Sequence, residues 1–370
     1  MKILIAGDFC PQNRVPDLLD NDEFECVLGE VKYFTSDSDY SIVNLECPVT
    51  YGNESPITKF GPNLGCSEKG VYALKWAGFD CVTLANNHFL DYGPEGVENT
   101  LSVCQKCRLQ TIGGGRNLKA ASETLYKEIN GKILAVINCC ENEFSIASEK
   151  TAGSNPLNPV YQYHAILEAR SKADYVLLIV HGGHEHFQLP SPRMQELYRF
   201  FVEAGADAVV NHHQHCFSGF EIFNGKPIFY GIGNFCFDGN RSRKEIWHEG
   251  YMVQLSFSDM IEYKVIPYIQ CKDKPKVEFL ADNSYDTKLS ELNNIIKDPE
   301  RLRYLVDNYY ASCADDYSNI FEPSNNRYYL GAKARGWLPS FISKQRKLKA
   351  LNFIFCEAHR DKLIYWLKNN

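Results

Sequence analysis

The sequence predicts an α/β protein with a mixed second sheet and a helical C-terminal extension. Three observations carry this. From Met1 to about Ile269, short β-rich runs alternate with helical patterns, the rhythm of βαβ units. Two Asn-Gly dipeptides, Asn130-Gly131 and Asn224-Gly225, sit between apolar runs and mark hairpins of type I′ geometry. After about Asp273 the chain becomes polar and helical.

Taken in order, the first strand is expected over Lys2–Gly7, where KILIAG runs directly into Asp8. Ser41–Leu45, Asp80–Ala85, Leu109–Ile112, Leu134–Asn138, Tyr175–Val180 and Ala208–Val210 are further short apolar runs, the pattern of buried strands. Helices fit between them at Glu68–Ala77, Pro94–Cys107, Pro159–Lys172 and Pro192–Ala204, two of them followed by the Ala-Gly that ends a helix before a strand. EIFNGKPIFYGIGNFCFD and then YMVQLSFSDMIEYKVIPYI read as a string of antiparallel strands. The boundaries expected are 1–272 for the α/β domain and 273–370 for the helical extension.

With 370 residues and 44% apolar content, the chain can bury a large core. Its 46 acidic and 39 basic residues argue against a broad nucleic-acid surface, so an anionic substrate must be held by local positive charge or by metal. Fourteen cysteines are scattered, several inside apolar runs (Cys26, Cys81, Cys139, Cys140), and read as reduced core residues of a cytosolic protein. Cys104 and Cys107 form a CxxC in a helical stretch without a second pair, and read as core. The N-terminus enters a strand at once, without an export signal, and no run of about 18 apolar residues spans a membrane. A cytoplasmic location is therefore expected. The basic stretch Lys344–Lys349 reads as a solvated helix face, with peripheral contact at the inner membrane face as the alternative.

Six of the ten histidines fall in HGGHEH (His181, His184, His186) and NHHQH (His212, His213, His215), each following an apolar run. Asp8, Glu46 and the pair Asn87 and His88 follow three other such runs. Strand ends are where loops leave side chains available. Phosphate-ester hydrolysis needs neutralised charge, an activated water and a proton for the leaving oxygen. Asp8, Glu46, Asn87, His181, His213 and His215 are ligand types for one or two Mn, Zn or Fe ions rather than Ca. His88 is then free as general acid, with Asp91 orienting it. Each piece has a blander reading: Gly-Asp as a turn, NNHFLDYG as a helix-capping loop, His184 and His186 as loop residues that ligate nothing. His164, His248 and His359 look incidental.

Seven motifs occur in one order: GD (Asp8), VNLECPVT (Glu46), LANNHFLDYG (Asn86, Asn87, His88, Asp91), GGGRN (Gly113 to Asn117), HGGHE (His181, Glu185), NHHQHCFSGFE (His213, His215, Glu221) and GKPIFYGIGNFCFD (Tyr230, Asn234). This order resembles the poly-gamma-glutamate capsule biosynthesis proteins of CapA type, a branch of the calcineurin-like metallophosphoesterase superfamily, over about Met1 to Asp238. The resemblance implies a four-layer α/β/β/α sandwich with mixed sheets and a site at the C-terminal ends of the strands. It also implies a part in making capsular or other envelope polymers. Asn86, Glu185, His212, Glu221 and Asn234 are expected to line the substrate pocket. The expected function is a metal-dependent, phosphoesterase-like hydrolase acting on an anionic small molecule or envelope-polymer precursor. The alternatives are a non-catalytic binding or assembly factor that docks a polymer synthase, and an amide-bond hydrolase or transferase on a glutamate polymer. The chain departs from the wider phosphoesterase pattern in three places. Asp8-Phe9-Cys10 replaces Asp-x-His, Glu46 stands where a bridging Asp is usual, and His212 replaces a glycine.

Overall fold

In the computed structural model, residues 1–239, 243–313 and 343–369 are described, together with positions 328, 335 and 337. Eight strands form the first sheet. Its order is Val277–Phe279, Glu262–Gln270, Glu249–Ser256, Lys2–Phe9, Tyr40–Leu45, Cys81–Thr83 and Gln110–Ile112, with Asn234–Cys236 also paired to Lys2–Phe9. Six strands form the second: Phe220–Phe223, Lys226–Phe229, Ala208–His212, Tyr175–His181, Lys132–Cys140 and Leu125–Ile129. Both sheets mix parallel and antiparallel pairs.

Alternation along each strand explains why the two sheets stack. Ile3, Ile5, Ile42 and Cys81 face inward and meet Leu134, Val136, Leu177, Ile179, Ala208 and Val210 of the second sheet. Leu4, Ala6, Val43 and Val82 face outward, under Val15, Leu19, Val71, Leu74, Val97 and Val103 of the covering helices. On the far side Ala135, Val176, Leu178 and Val209 pack on Ile166, Met194, Tyr198 and Phe201 of the helices Pro159–Lys172 and Pro192–Ala204. The result is the expected four-layer α/β/β/α sandwich. Each fully buried aliphatic side chain in these layers stabilises it by about 1.5–3 kcal/mol.

Both Asn-Gly turns form as expected. Asn130 and Gly131 have φ of 52° and 75°, and Asn224 and Gly225 of 49° and 75°, each pair joining two antiparallel strands. The stretch from 221 to 269 differs from expectation. It divides between the sheets, and Asn234–Cys236 runs parallel to the first strand rather than as one more antiparallel neighbour.

The first sheet continues past residue 272 through Val277–Phe279. The helices Asp286–Lys297 and Pro299–Ser312 follow, the second capped by Asp298, whose side chain accepts from the Arg301 N–H. Ile296, Leu302, Val306 and Tyr310 join the outer core of the second sheet. Two further helices, Lys344–Phe355 and Glu357–Asn369, are held by side chains. Arg193 bridges Glu141 and Asp361, each at 2.7 Å, and Asn142 binds Glu357 through its N–H at 2.9 Å and its amide at 2.6 Å. Among the described residues, no helix is long and apolar enough to cross a membrane.

Candidate metal centre

Parallel pairing points the C-terminal ends of Lys2–Phe9, Tyr40–Leu45 and Cys81–Thr83 one way, and likewise those of Lys132–Cys140, Tyr175–His181 and Ala208–His212. The two sets of ends meet. Asp8 and His181 come from different sheets, yet a carboxylate oxygen of one lies 3.8 Å from Nδ1 of the other. Gly7 lets the turn at Gly233 press against the first strand, where Asn234–Cys236 joins its sheet, because a Cβ there would fall 1.9 Å from the Gly233 carbonyl oxygen.

Glu46 is the centre of the cluster. Its carboxylate is fully buried, and neither oxygen has a hydrogen-bond partner. One oxygen lies 3.5 Å from His181 Nε2 and 3.7 Å from His215 Nε2. Two sets of three potential ligand atoms share it: Glu46, His181 and His213, and Asp8, Glu46 and His215. A third set is Asp8, His181 and His212. Asn87 Oδ1 is 3.0 Å from His181 Nε2, and His213 Nδ1 is 3.0 Å from the same nitrogen. All six residues expected from the sequence as metal ligands are therefore in one place.

The electrostatics are those of a site short of positive charge. Burial raises Asp8 to about 6, although the Asn44 amide at 2.7 Å and the His213 N–H at 3.1 Å both favour the ionised form. Burial, then the nearby Asp8, pushes Glu46 well above the usual carboxylate range. Burial holds His181 well below its ordinary value and His215 at about 3, so both are neutral and able to ligate. Two buried carboxylates among neutral imidazoles, one with no hydrogen-bond donor at all, fit a divalent transition metal. The loop geometry serves the same arrangement. His213 and His215 have φ of 89° and 53°, a backbone region that non-glycine residues rarely adopt, and the turn brings the His213 N–H to Asp8. His215 is fixed through Nδ1 by Asn234 Oδ1 at 2.9 Å.

His88 and Asp91 form a second group. Asp91 accepts from His88 Nδ1 at 2.6 Å and from the Leu64 N–H at 2.7 Å, and it is ion-paired with buried Lys59. Lys59 Nζ is also 3.1 Å from His88 Nδ1. Burial and then Lys59 lower the His88 pKa, against the upward pull of Asp91.

The family model described as bacterial capsule synthesis protein PGA_cap matches residues 2–239. The chain belongs to this family. Among curated relatives, the capsule biosynthesis protein CapA of Bacillus anthracis is 32% identical over 251 residues, covering 66% of this chain and 61% of that protein. The PGA biosynthesis protein CapA of Bacillus subtilis is 32% identical over 241 residues, covering 64% and 63%. A probable polyglutamine synthesis accessory protein of Mycobacterium tuberculosis is 24% identical over 215 residues, covering 53% and 55%. The chain thus matches about three-fifths of the length of the Bacillus relatives. Solved structures with a partial likeness include a putative 5'-nucleotidase from Staphylococcus aureus, with 16% identity, TM-score 0.42 and coverage of 80% of this chain and 58% of that one. A 5'-nucleotidase precursor from Thermus thermophilus gives 11%, 0.46, 79% and 57%.

For this capsule-synthesis family member, the opening of the site is a cavity of about 390 Å³ beside Asn87, His88 and His213. Of the five residues expected to line a pocket, Glu185 does so. Desolvation pushes its carboxyl up, and His215, His213, His186 and His359 pull it down to the extent that they are protonated, while half of its side chain stays exposed. Asn86 and Asn234 stand behind the centre. The Asn86 amide donates to the Leu45 carbonyl at 2.9 Å, and its Oδ1 accepts from the His88 N–H at 3.1 Å. Glu221 corrects the expectation. It is absorbed by Arg199 at 2.9 and 2.7 Å and by the Tyr230 hydroxyl at 2.6 Å, so its charge is neutralised away from this cavity. His212 is buried beside the centre, with neither ring nitrogen bonded to a side chain. His184 turns away to the Tyr310 hydroxyl at 2.8 Å, whereas His186 lines the cavity.

Sequence reasoning missed Lys59, Asn44, Lys362 and His359. Lys59, Lys362 and His359 line the cavity. Asn44 orients Asp8 and lies 3.4 Å from His181 Nδ1. Asn44 carried a signal, as a polar residue inside the apolar run SIVNLE. Cys10, where the wider pattern has histidine, is buried and accepts a hydrogen bond from the Gln12 amide at 3.6 Å. It belongs to none of the potential ligand sets among the described residues.

Proposed function

We propose that this protein is a metal-dependent, phosphoesterase-like hydrolase that acts on an anionic precursor or intermediate of a capsular or poly-glutamate polymer. The single observation that carries the reading is Glu46, a fully buried carboxylate without a hydrogen bond, surrounded by Asp8, His181, His213 and His215. Those residues, with Asn87, would hold one or two Mn, Zn or Fe ions. Bound there, such an ion would neutralise charge on the ester and make water acidic enough to attack near neutral pH. The protein's own groups do the rest. Lys59 and Lys362 draw an anionic substrate into the cavity. His88 is held through Nδ1 by Asp91 and hands a proton from Nε2 to the leaving oxygen. Burial and Lys59 keep His88 neutral at rest, and an anion arriving beside Lys59 offsets that positive charge and favours the protonated ring. Action on the cytoplasmic side, with a polymer synthase as partner, is part of this proposal.

The test is metal analysis of protein purified without chelator, combined with hydrolysis of generic phosphoesters. Bound transition metal, and activity lost in His213→Ala and His88→Ala, is the expected outcome. No metal and no hydrolysis would sink the reading. One observation favours a second reading, binding of the polymer or precursor without turnover: the histidine position of the first motif is Cys10, which removes a donor. Under that reading, association with a glutamate polymer survives His88→Ala undiminished and no ester is cleaved by any variant.

A further inference from the structure

Glu143, Cys356 and His359 converge at the rim of the cavity. Each offers one atom able to bind a metal, and the three atoms lie within 4.8 Å of one another. Cys356 Sγ is 3.5 Å from one carboxylate oxygen of Glu143, while the other oxygen accepts from the Asn87 amide at 3.4 Å. The His359 ring stacks on Phe353, with centroids 4.8 Å apart and planes 16° from parallel, which fixes its orientation. Cys356 is the extended residue that joins the helices Lys344–Phe355 and Glu357–Asn369, and His359 lies in the first turn of the second, so the junction carries both.

We infer that Glu143, Cys356 and His359 form a second transition-metal site, of zinc type, separate from the centre around Glu46. Thiolate with imidazole selects zinc or cobalt over magnesium and calcium. Three protein ligands with a fourth position open to a cavity is the arrangement of an accessible zinc site rather than a closed structural one. Metal–ligand bonds of about 2.0–2.3 Å in a tetrahedron place ligand atoms roughly 3.5 Å apart; the Cys356–Glu143 pair already has that separation, and His359 closes the set by a small side-chain adjustment. The thiol proton leaves to solvent as the sulfur takes the ion. Two of the ligands lie beyond residues 2–239, the part matched by the family model, so the site belongs to this chain's C-terminal helices. An ion there pins the helix Glu357–Asn369 to the segment carrying Glu143 and narrows the entrance to the cavity.

Cobalt(II) distinguishes this from a plain thiol-to-carboxylate hydrogen bond, because a thiolate ligand gives a sulfur-to-cobalt charge-transfer band. The full-length protein, reduced and stripped with chelator, is titrated with Co(II). The band should appear in the unaltered protein, persist in His213→Ala and vanish in Cys356→Ser with the loss of one equivalent of bound cobalt. Glu143→Gln and His359→Ala should each weaken binding at this site at least tenfold, as read from the same band. Absence of the band in the unaltered protein, its survival in Cys356→Ser, or unchanged affinity in both Glu143→Gln and His359→Ala would overturn the inference. Because the readout is the thiolate band, loss of the Glu46 centre and loss of this site are told apart.

Discussion

Replacing Asp8 with asparagine should make the protein more stable in chelator and deaf to added metal. The magnitude follows from burial. Asp8 titrates at about 6 against 3.8 for the free side chain. A carboxyl raised in this way contributes stability that is present below 3.8 and lost as the pH rises through about 6. At pH 8 its ionised form therefore costs the metal-free fold about 3 kcal/mol. Asparagine removes that cost and keeps an acceptor for the Asn44 amide at 2.7 Å. It cannot also accept from the His213 N–H, which returns about 1–2 kcal/mol. The net gain at pH 8 in chelator is about 1–2 kcal/mol. With metal in hundredfold excess over its dissociation constant, the unaltered protein gains about 2.7 kcal/mol and the variant far less, so the order of stability inverts. Thermal melts of both proteins at pH 8, in chelator and then with excess Mn or Zn, measure this directly. An Asp8→Asn protein that melts below the unaltered one in chelator, or that gains as much from metal, would refute the reasoning.

Two further outcomes follow from buried charge. Lys59→Met removes the cation that lowers His88, so turnover of a generic phosphoester should fall about 10–100-fold, and the limb of the rate profile assigned to His88 should move to higher pH; an unshifted profile would separate Lys59 from His88. His212 is buried and neutral, titrating at about 3 against 6.5 when free, so its contribution is present above 6.5 and lost as the pH falls toward 3, about 2 kcal/mol of it by pH 5. His212→Gln should therefore show a flatter fall in melting temperature between pH 7.5 and 5, and an equal slope in both proteins would count against that assignment.

The strands at Lys2–Phe9, Tyr40–Leu45 and Tyr175–His181 were legible because they are short apolar runs ending in a polar residue, and that polar residue is the candidate ligand. The helices Pro159–Lys172 and Pro192–Ala204 were legible to the residue. The helices Val15–Asp20, Phe24–Leu28 and Val31–Ser36, of five or six residues each, are too short to show a period. Asn234–Cys236 was misread because composition marks it as a strand but does not say which sheet receives it. Gly233, at φ 81°, carries the chain from one sheet to the other, and a Cβ on it would meet the Glu249 carbonyl at 2.8 Å. Lys59 gave no signal, because it lies in the irregular stretch ITKFGPN and matters through long-range contacts with His88 and Asp91, 29 and 32 positions away. His359 looked incidental for the same reason: its importance comes from the docking of a helix through Arg193 and Asn142, which local spacing cannot encode.

The change at Cys10 bears on how many ions the centre can hold. Glu46 belongs both to the group with His181 and His213 and to the group with Asp8 and His215, so it stands between two positions rather than within one. The longer reach of glutamate matters here, since it follows the strand Tyr40–Leu45 by one residue and its carboxylate still comes within 4 Å of two imidazoles. The group with His181 and His213 is also approached by the Asn87 oxygen, which gives it a fourth donor. The group with Asp8 and His215 would draw its further donor from the first motif, and there the side chain is a buried thiol engaged with Gln12. Unequal donor sets imply unequal affinities. If the proposed centre holds metal, the position served by His181, His213 and Asn87 should fill first and the one beside Asp8 and His215 only weakly, so a metal titration that shows two equal sites would refute this ordering.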